Sequence, residues 1–233
     1  MGISVIIPVA KDDEAWRSLL PDLRYLTKKD EVILVSNKSL QDEFKIEAEK
    51  LGLSCGTQWA LSSSSGRAKQ LNTGARSAKC DFFWFLHCDS NVNQTAIEKL
   101  RKSTELKPTA IHFFDLKFLR DGPWLTVSNG YGVWLRSHIL RLPFGDQGYC
   151  MHRDVFAKLG GFCENVPYGE DHLLIWKAHQ SKIKVCCVRA PIYTSARRYC
   201  VNGWFKTTAR HLTLTIRQAA PEFIRLLKGR TII

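Results

Sequence analysis

The residues best equipped for chemistry lie where apolar runs end and glycines begin. Asp89 closes the run Asp81-Phe-Phe-Trp-Phe-Leu-His87-Cys88 and is followed by Ser90 and Asn91. A carboxylate at such a strand end can hold a hard divalent cation between two phosphates; it equally suits an Asx turn or a cap on the next helix. His87, two residues earlier, is a second metal ligand or a strand residue facing the core. Arg67 follows Gly66 at a helix start, where free backbone N–H groups and a guanidinium together suit a phosphate, and where a solvated arginine is equally at home. Asn72 and Gly74, further along that helix, fit a plain amphipathic face poorly; glycine inside a helix points to close packing. Glu170-Asp171 follow Gly169 at another helix start. The dipole favours acids there, so capping and general-base catalysis by Asp171 both explain the pair, and Asp171 is expected to stay ionised near neutral pH. Asp146 and Gln147 sit in the glycine-flanked loop Phe144-Gly-Asp-Gln-Gly148. Arg197-Arg198 follow the extended segment Pro191-Ile-Tyr-Thr194, as a pyrophosphate clamp or a solvated basic turn.

The first half alternates apolar runs with amphipathic stretches, the pattern of βαβ units and a mainly parallel sheet. Strands are expected at 3–9, 31–36, 53–59 and 81–87, with helices at 12–26, 40–51 and 67–79. Beyond Asp89 the pattern loosens. Helices are expected over 94–106, from 154 and over 170–181, with extended segments at 110–119 and 183–188. Residues 124–142 are apolar with interspersed Arg and His, and 143–148 read as a loop. A long basic helix covers 202–227, interrupted at Pro221. In an open α/β sheet, ligands bind at the carboxyl ends of the strands. Pro8-Val9-Ala10, Ser36-Asn37, Gly66-Arg67 and Cys88-Asp89 all fall there.

At 233 residues the chain is closer to one large domain than to two of about 150 residues each. We expect a single α/β domain, residues 1–92 forming a nucleotide-binding half and 93–233 an acceptor half that ends in the basic helix. The 34 Lys and Arg against 22 Asp and Glu leave a formal charge of +12. That surplus suits an anionic partner: nucleic acid, an anionic membrane or a phosphorylated substrate. No nucleic-acid motif is present, and the Phe/Trp clusters read as buried strands rather than stacking platforms. The eight cysteines include no C-x-x-C pair and read as small apolar residues in a reducing cytoplasm. No signal peptide or membrane span is evident, so a cytoplasmic location is expected.

The order of these motifs along the chain carries more than any one of them. Ile7-Pro-Val-Ala-Lys-Asp-Asp13, Gly66-Arg-Ala-Lys-Gln-Leu-Asn-Thr-Gly74, Phe85-Leu-His-Cys-Asp-Ser90, Phe144–Gly148, Gly160-Gly-Phe162, Glu170-Asp171 and Thr194-Ser-Ala-Arg-Arg-Tyr199 resemble, in sequence, the motifs of family 2 nucleotide-sugar glycosyltransferases. The resemblance covers about residues 3 to 215. It is nearest to a short, soluble bacterial branch whose members include proteins labelled arsenosugar-biosynthesis glycosyltransferases. It implies a GT-A fold, an NDP-sugar donor such as a UDP-sugar, Mg²⁺ or Mn²⁺, and an inverting transfer. By position it places Pro8, Ala10, Asp12, Ser36, Arg67, Asn72, Asp89 and Arg198 at the donor, and Asp89 and His87 at the metal. It makes Asp171 the base, with Asp146, Gln147 and Glu170 toward an acceptor that the sequence does not identify.

Three positions depart from the family pattern. His87 stands where the first carboxylate of the metal motif is usual, Ser36 where a base-contacting Asp is usual, and Lys11-Asp12 where Asn-Glu is usual. A nucleotidyltransferase, or a degenerate nucleotide-binding relative of the same fold, is the alternative. The basic helix after Trp204 reads as a packed helix with a solvated face, or as a peripheral contact with an anionic membrane.

Overall fold

The computed structural model describes residues 1–64, 66–119, 121, 126–195 and 204–229. One eight-stranded sheet organises them. Its strands are β1 (Ile3–Pro8), β2 (Glu31–Ser36), β3 (Gly56–Leu61), β4 (Phe82–Phe85), β5 (Ser90–Asn91), β6 (Ile111–Phe118), β7 (Tyr149–His152) and β8 (Val185–Thr194). They lie in the order β3-β2-β1-β4-β7-β6-β8-β5. The β3-β2-β1-β4 half is parallel, as is β6 with β8; β7 runs antiparallel to both its neighbours, and β5 antiparallel to β8. Because the chain leaves β1 toward β2 and later returns to β1's other side as β4, the switch point of the sheet lies beside β1. This is where an α/β sheet opens a crevice.

Helices cover both faces: α1 (Trp16–Leu19), α2 (Gln41–Lys50), α3 (Arg67–Ser77), α4 (Gln94–Leu106), α5 (Thr126–His138), α6 (Arg153–Lys158), α7 (Glu170–Gln180) and α8 (Trp204–Leu227). The strand period of two divides the apolar residues between the faces. Ile3, Val5 and Ile7 of β1 and Trp84 of β4 join Trp16, Leu19, Leu23 and Leu100 on one side. Ile6, Phe83 and Phe85 meet Leu71, Phe156, Phe162 and Trp176 on the other. Gly74 explains its place inside α3: a Cβ there would lie 2.4 Å from Ile6 Cγ2 and 3.0 Å from Val35 Cγ2, so the helix rests its backbone directly on β1 and β2.

The amino-terminal edge of the sheet is closed by buried polar groups. Asp30 accepts from Ile3 N–H at 2.9 Å and from Arg101, while Glu31 accepts from Ser4 Oγ at 2.6 Å and Lys79 N–H at 2.6 Å. Burial alone would raise the Asp30 carboxyl, but Arg101, Thr27 and the Ile3 N–H together hold it below the usual carboxylate range.

The structure corrects several expected elements. The single helix over 12–26 is broken: Asp12 takes a left-handed backbone with φ 62°, α1 is one turn, and Leu20–Tyr25 is a 3-10 helix with Pro21 in its first turn. Proline lacks the N–H that continued α-helix needs. Residues 149–152 form β7, whose four residues are too few to show a period, and the loop at 143–148 contains a 3-10 turn, Gly145–Gln147. Pro221 does not interrupt α8, which runs through it. Anchors on either side hold the helix in place: Gln218 donates to Gly169 O at 3.1 Å, and Gln180 of α7 donates to Glu222 at 3.0 Å. The seven described cysteines are free thiols; Cys200 lies outside the described residues. No helix among the described residues is long and apolar enough to cross a membrane.

Candidate active site

The carboxyl ends of β1, β2 and β4 converge with the amino-terminal ends of α3 and α7. Two backbone bonds carry the strands past their ends: Leu86 N–H donates to Ile6 O at 3.0 Å and Val9 N–H to Val35 O at 2.8 Å. Between them the buried Gln70 side chain donates to Val9 O at 2.7 Å and to Val35 O at 3.4 Å. Gln70 thus holds the floor of the crevice. It was visible in the sequence only as one letter of the Gly66–Gly74 motif.

Arg67 is the hub. Gly66, with φ 133°, turns the chain into α3, and the first side chain of that helix crosses to α7. Its Nε donates to Glu170 Oε1, its Nη2 lies 3.5 Å from Asp171 Oδ1, and its Nη1 faces His87 Nε2 at 3.1 Å. Burial would weaken its charge, but Asp171 and Glu170 raise its pKa further above the ordinary arginine value. Asp171 is buried, and its Oδ2 accepts the Gly145 N–H at 2.5 Å. Burial by itself would raise this carboxyl. The Arg67 guanidinium, the Gly145 N–H, His87 and the His172 N–H together hold it below the usual range. The expected ionised Asp171 is therefore present, but it rests on Arg67 and a loop amide from β7's side more than on its own helix. Gly145 has no room for a side chain, since a Cβ would lie 2.9 Å from Asp171 Oδ2.

The third carboxylate is Asp146, in the 3-10 turn beside Gly145. Its Oδ1 is buried and has no hydrogen-bond partner among the described residues. Burial pushes its pKa up to about 6; Asp171 and Asp89 push in the same direction, against Arg136 and Arg67. An orphaned carboxylate oxygen within the field of two further carboxylates fits a hard divalent cation, for which oxygen donors are the preferred ligands. Asp89 and Asp146 are the residues that fit Mg²⁺ or Mn²⁺. His87 is committed differently in this arrangement. Its Nε2 lies 3.1 Å from Arg67 Nη1.

The remaining positions divide by location. Pro8 ends β1 beside Val35; Ala10 is exposed just beyond it, and Asp12 lies 3.7 Å from Lys38 at the rim between β1 and β2. Ser36 is turned inward: it is buried, donates to Lys38 O and accepts from Trp59 Nε1 at 3.1 Å. Asn72 spends its amide on the loop after α6, donating to Phe162 O at 2.9 Å and accepting from Phe162 N–H at 3.0 Å. Gln147 is buried beneath the site and donates to Phe114 O at 2.9 Å while accepting from Ser137 Oγ at 2.7 Å. Both side chains brace the walls, because their donors and acceptors are consumed inside the protein. Arg198 lies outside the described residues. Two residues not singled out on sequence join the site: Arg136, whose guanidinium sits 3.3 Å above the Phe144 ring, and Asp13, which accepts from Cys88 Sγ at 3.4 Å. Arg136 falls in no recognisable pattern and is brought in by the fold from α5, whereas Asp13 closes the Ile7–Asp13 motif without having been given a role there. A cleft of about 440 Å³ opens outward from Gly66 and Arg67 to Glu164, Tyr168 and Glu170.

An open α/β sheet with a parallel nucleotide-type half, an antiparallel β7 insertion and carboxylates gathered at its carboxyl edge has the GT-A architecture. The model of glycosyl transferase family 2 matches residues 4–155, and the chain belongs to that family. Among solved structures it is similar to the mannosyltransferase PcManGT from Pyrobaculum calidifontis, in complex with GDP-Man and Mn²⁺. That likeness has a TM-score of 0.70 and 15% identity over 97% of this chain and 68% of that one. It is also similar to TarS from S. aureus, with a TM-score of 0.63 and 19% identity, covering 84% of this chain and 37% of TarS. TarS 1-349 in complex with UDP-GlcNAc gives a TM-score of 0.62 at 17% identity, and this chain spans 58% of it. No curated protein matches by sequence.

Proposed function

We propose that the protein transfers a sugar from a nucleoside-diphosphate donor to an acceptor hydroxyl, with inversion at the anomeric carbon. The observation that carries this is the buried, ionised Asp171 held between Arg67 and the Gly145 N–H at the carboxyl edge of the sheet. Support comes from membership of glycosyl transferase family 2 and from structural neighbours whose complexes contain UDP-GlcNAc, GDP-Man and Mn²⁺.

In this reading the diphosphate lies over Gly66 and Arg67 at the start of α3, where backbone N–H groups and the guanidinium meet its oxygens. Asp89 and Asp146 hold Mg²⁺ or Mn²⁺, which when bound supplies positive charge beside the leaving diphosphate. Asp171 takes the proton of the acceptor hydroxyl as that oxygen forms its bond to the anomeric carbon. The electrons of the breaking carbon–oxygen bond pass to the diphosphate, and Arg67 stabilises the charge that develops there. Glu170 keeps Arg67 oriented, and Arg198 is assigned to the diphosphate by the family resemblance. With Ser36 turned inward, the end of β2 offers the nucleobase a hydroxyl committed to Lys38 O and Trp59 Nε1 in place of a carboxylate, and the donor panel below reads which base is preferred. The resemblance to the arsenosugar-labelled branch supports no substrate assignment.

The acceptor half adds a surface. Phe205, Leu212, Ile216 and Phe223 of α8 are exposed, as are the basic residues Lys206, Arg210 and Arg217, a combination that supports peripheral contact with an anionic, lipid-bearing acceptor. Salt-sensitive sedimentation with anionic but not neutral liposomes tests that contact.

The test of the activity is a panel of nucleotide sugars with Mg²⁺ or Mn²⁺, read by thermal shift and by release of the free nucleoside diphosphate. At least one donor should raise the melting temperature and turn over. Asp171→Asn should abolish turnover and keep the thermal shift. A protein that no nucleotide sugar stabilises, but that binds a free nucleoside triphosphate and releases pyrophosphate, is a nucleotidyltransferase instead. Binding without turnover under every condition favours the degenerate relative.

A further inference from the structure

We propose a second metal centre, of the zinc type, formed by Asp115, His138 and Cys187, none of which belongs to the donor site. The three side chains come from β6, the last turn of α5 and β8, and their ligand atoms all lie within 4.8 Å of one another. His138 Nε2 is 3.0 Å from Asp115 Oδ1, and Cys187 Sγ is 3.5 Å from the same oxygen. A tetrahedral zinc ion with bonds of about 2.0 to 2.3 Å separates its ligand atoms by roughly 3 to 4 Å. The two separations from Asp115 are therefore at coordination spacing, and the third lies within 4.8 Å.

Local geometry prepares each ligand. His138 Nδ1 faces the Trp134 carbonyl at 3.1 Å. A carbonyl only accepts, so a ring hydrogen sits on Nδ1, and Nε2 is the nitrogen turned to the Asp115 carboxylate. A metal ion would take the place of the proton between Nε2 and the carboxylate, 3.0 Å apart, and a ring nitrogen fixed by a backbone carbonyl is the arrangement typical of metal-bound histidine. The Trp134 ring stacks on the imidazole with centroids 5.1 Å apart, holding its plane.

Cys187 Sγ accepts the Arg189 N–H at 3.2 Å, which fixes the sulfur beside Asp115 Oδ1. That bond depends on a kink. Between Phe113↔Cys187 and Asp115↔Pro191 the β6–β8 register shifts, and Arg189 adopts φ 57°, a left-handed conformation costly for a residue with a side chain. The irregularity brings the thiol and the carboxylate onto one spot and re-aims the strand, as bulges at functional sites do.

The ligand set selects the metal. A thiolate and an imidazole suit zinc, cobalt or nickel and disfavour magnesium or calcium. His138 and Asp115 side chains are 25% and 33% exposed, leaving a side open for water as the fourth ligand. The ion would staple the end of α5 to the sheet. The adjacent α5 residues Arg136 and Ser137 both hold Gln147, so the staple reaches the loop that carries Asp146.

The test uses the whole protein, stripped of metal with a chelator and titrated with Co²⁺ as a spectroscopic stand-in for zinc. One equivalent should produce a thiolate-to-cobalt charge-transfer band and the intense visible bands of tetrahedral cobalt, both reversed by Zn²⁺. Cys187→Ser should remove the charge-transfer band, and His138→Gln should weaken cobalt binding by at least about tenfold. Asp89→Ala, which alters the donor-site carboxylates, should leave the spectrum unchanged, so failure of this centre is distinguishable from failure of the glycosyltransfer reading. Circular dichroism of each variant separates loss of metal from loss of fold. A spectrum without sulfur ligation in the parent protein, or one that survives in well-folded Cys187→Ser, overturns the proposal.

Discussion

Replacing Asp146 with asparagine should make this protein more stable and less active. The carboxylate has a buried Oδ1 without a hydrogen-bond partner among the described residues, and burial, with Asp171 and Asp89 nearby, raises its pKa from 3.8 to about 6. The folded protein thus binds the proton more tightly than the unfolded chain does. The stability this confers is fully present below about pH 4 and is lost as pH rises through about 6. Each pKa unit corresponds to about 1.4 kcal/mol, so the full cost at neutral pH is at most about 3 kcal/mol. Asparagine keeps the shape without the charge but brings an NH₂ that needs its own partner, so the expected gain is about 1 to 2 kcal/mol at pH 7.5. Urea unfolding followed by tryptophan fluorescence, with chelator present and at several pH values from 7.5 down to 4.5, measures it. The difference between variant and parent should shrink steadily as pH falls. A variant less stable than the parent at pH 7.5, or a gain that does not change with pH, refutes the reasoning. The same substitution should lower metal-dependent turnover, the usual exchange when a destabilising group belongs to an active site.

Three other perturbations follow from the packing. Gly74→Ala drives a methyl into Ile6 and Val35 and should cost about 1 to 3 kcal/mol by overpacking, against a helix-propensity gain of less than about 1 kcal/mol; an unchanged melting temperature would contradict the close approach. Arg101→Met leaves Asp30 buried without its cation and should cost about 3 kcal/mol at neutral pH. Because the Asp30 pKa is depressed in the parent, that deficit should narrow as pH falls below about 4, as equilibrium unfolding across acidic pH can show. Asn72→Ala removes the clamp on Phe162 and should cost about 1 to 2 kcal/mol while leaving nucleotide affinity within about twofold, since a wall residue acts through stability; isothermal titration checks the second half.

What could be read in the sequence was what local chemistry controls. The run Glu31–Ser36 is a strand with the expected bounds, and Gln94–Leu106 is the expected helix, capped by Asn93. In both, periodicity and end signals agree. Legibility failed where a distant segment decided. Pro221 was read as a break because a proline removes a hydrogen bond, yet contacts of α8 with Gly169 and Gln180 carry the helix through it. The ionised Asp171 was legible from its place at a helix start, but its principal partners, Gly145 and Arg67, lie 26 and 104 residues away. Asn72 was rightly singled out as odd on a helix face, and its oddness proves to be a tether to Phe162. Asp115, His138 and Cys187 have no spacing that suggests a cluster; only the register shift between β6 and β8 assembles them.

On the proposed function, Arg67 serves two roles. Its Nε–H is spent on Glu170, while Nη1 and Nη2 each keep a second N–H beyond their contacts with His87 and Asp171, so a diphosphate arriving at the start of α3 would compete with the Asp171 carboxylate for the guanidinium. The Asp171 contact, at 3.5 Å, is the longest of the three and is the one most easily surrendered. Losing it removes the strongest influence that holds the Asp171 pKa down, while the Gly145 N–H still fixes the carboxylate in place. Donor binding would therefore make Asp171 a stronger base without moving it. On the proposed function, the base would be held quiet in the free protein by the same arginine that the leaving group requires, which would tie proton abstraction to the presence of a donor.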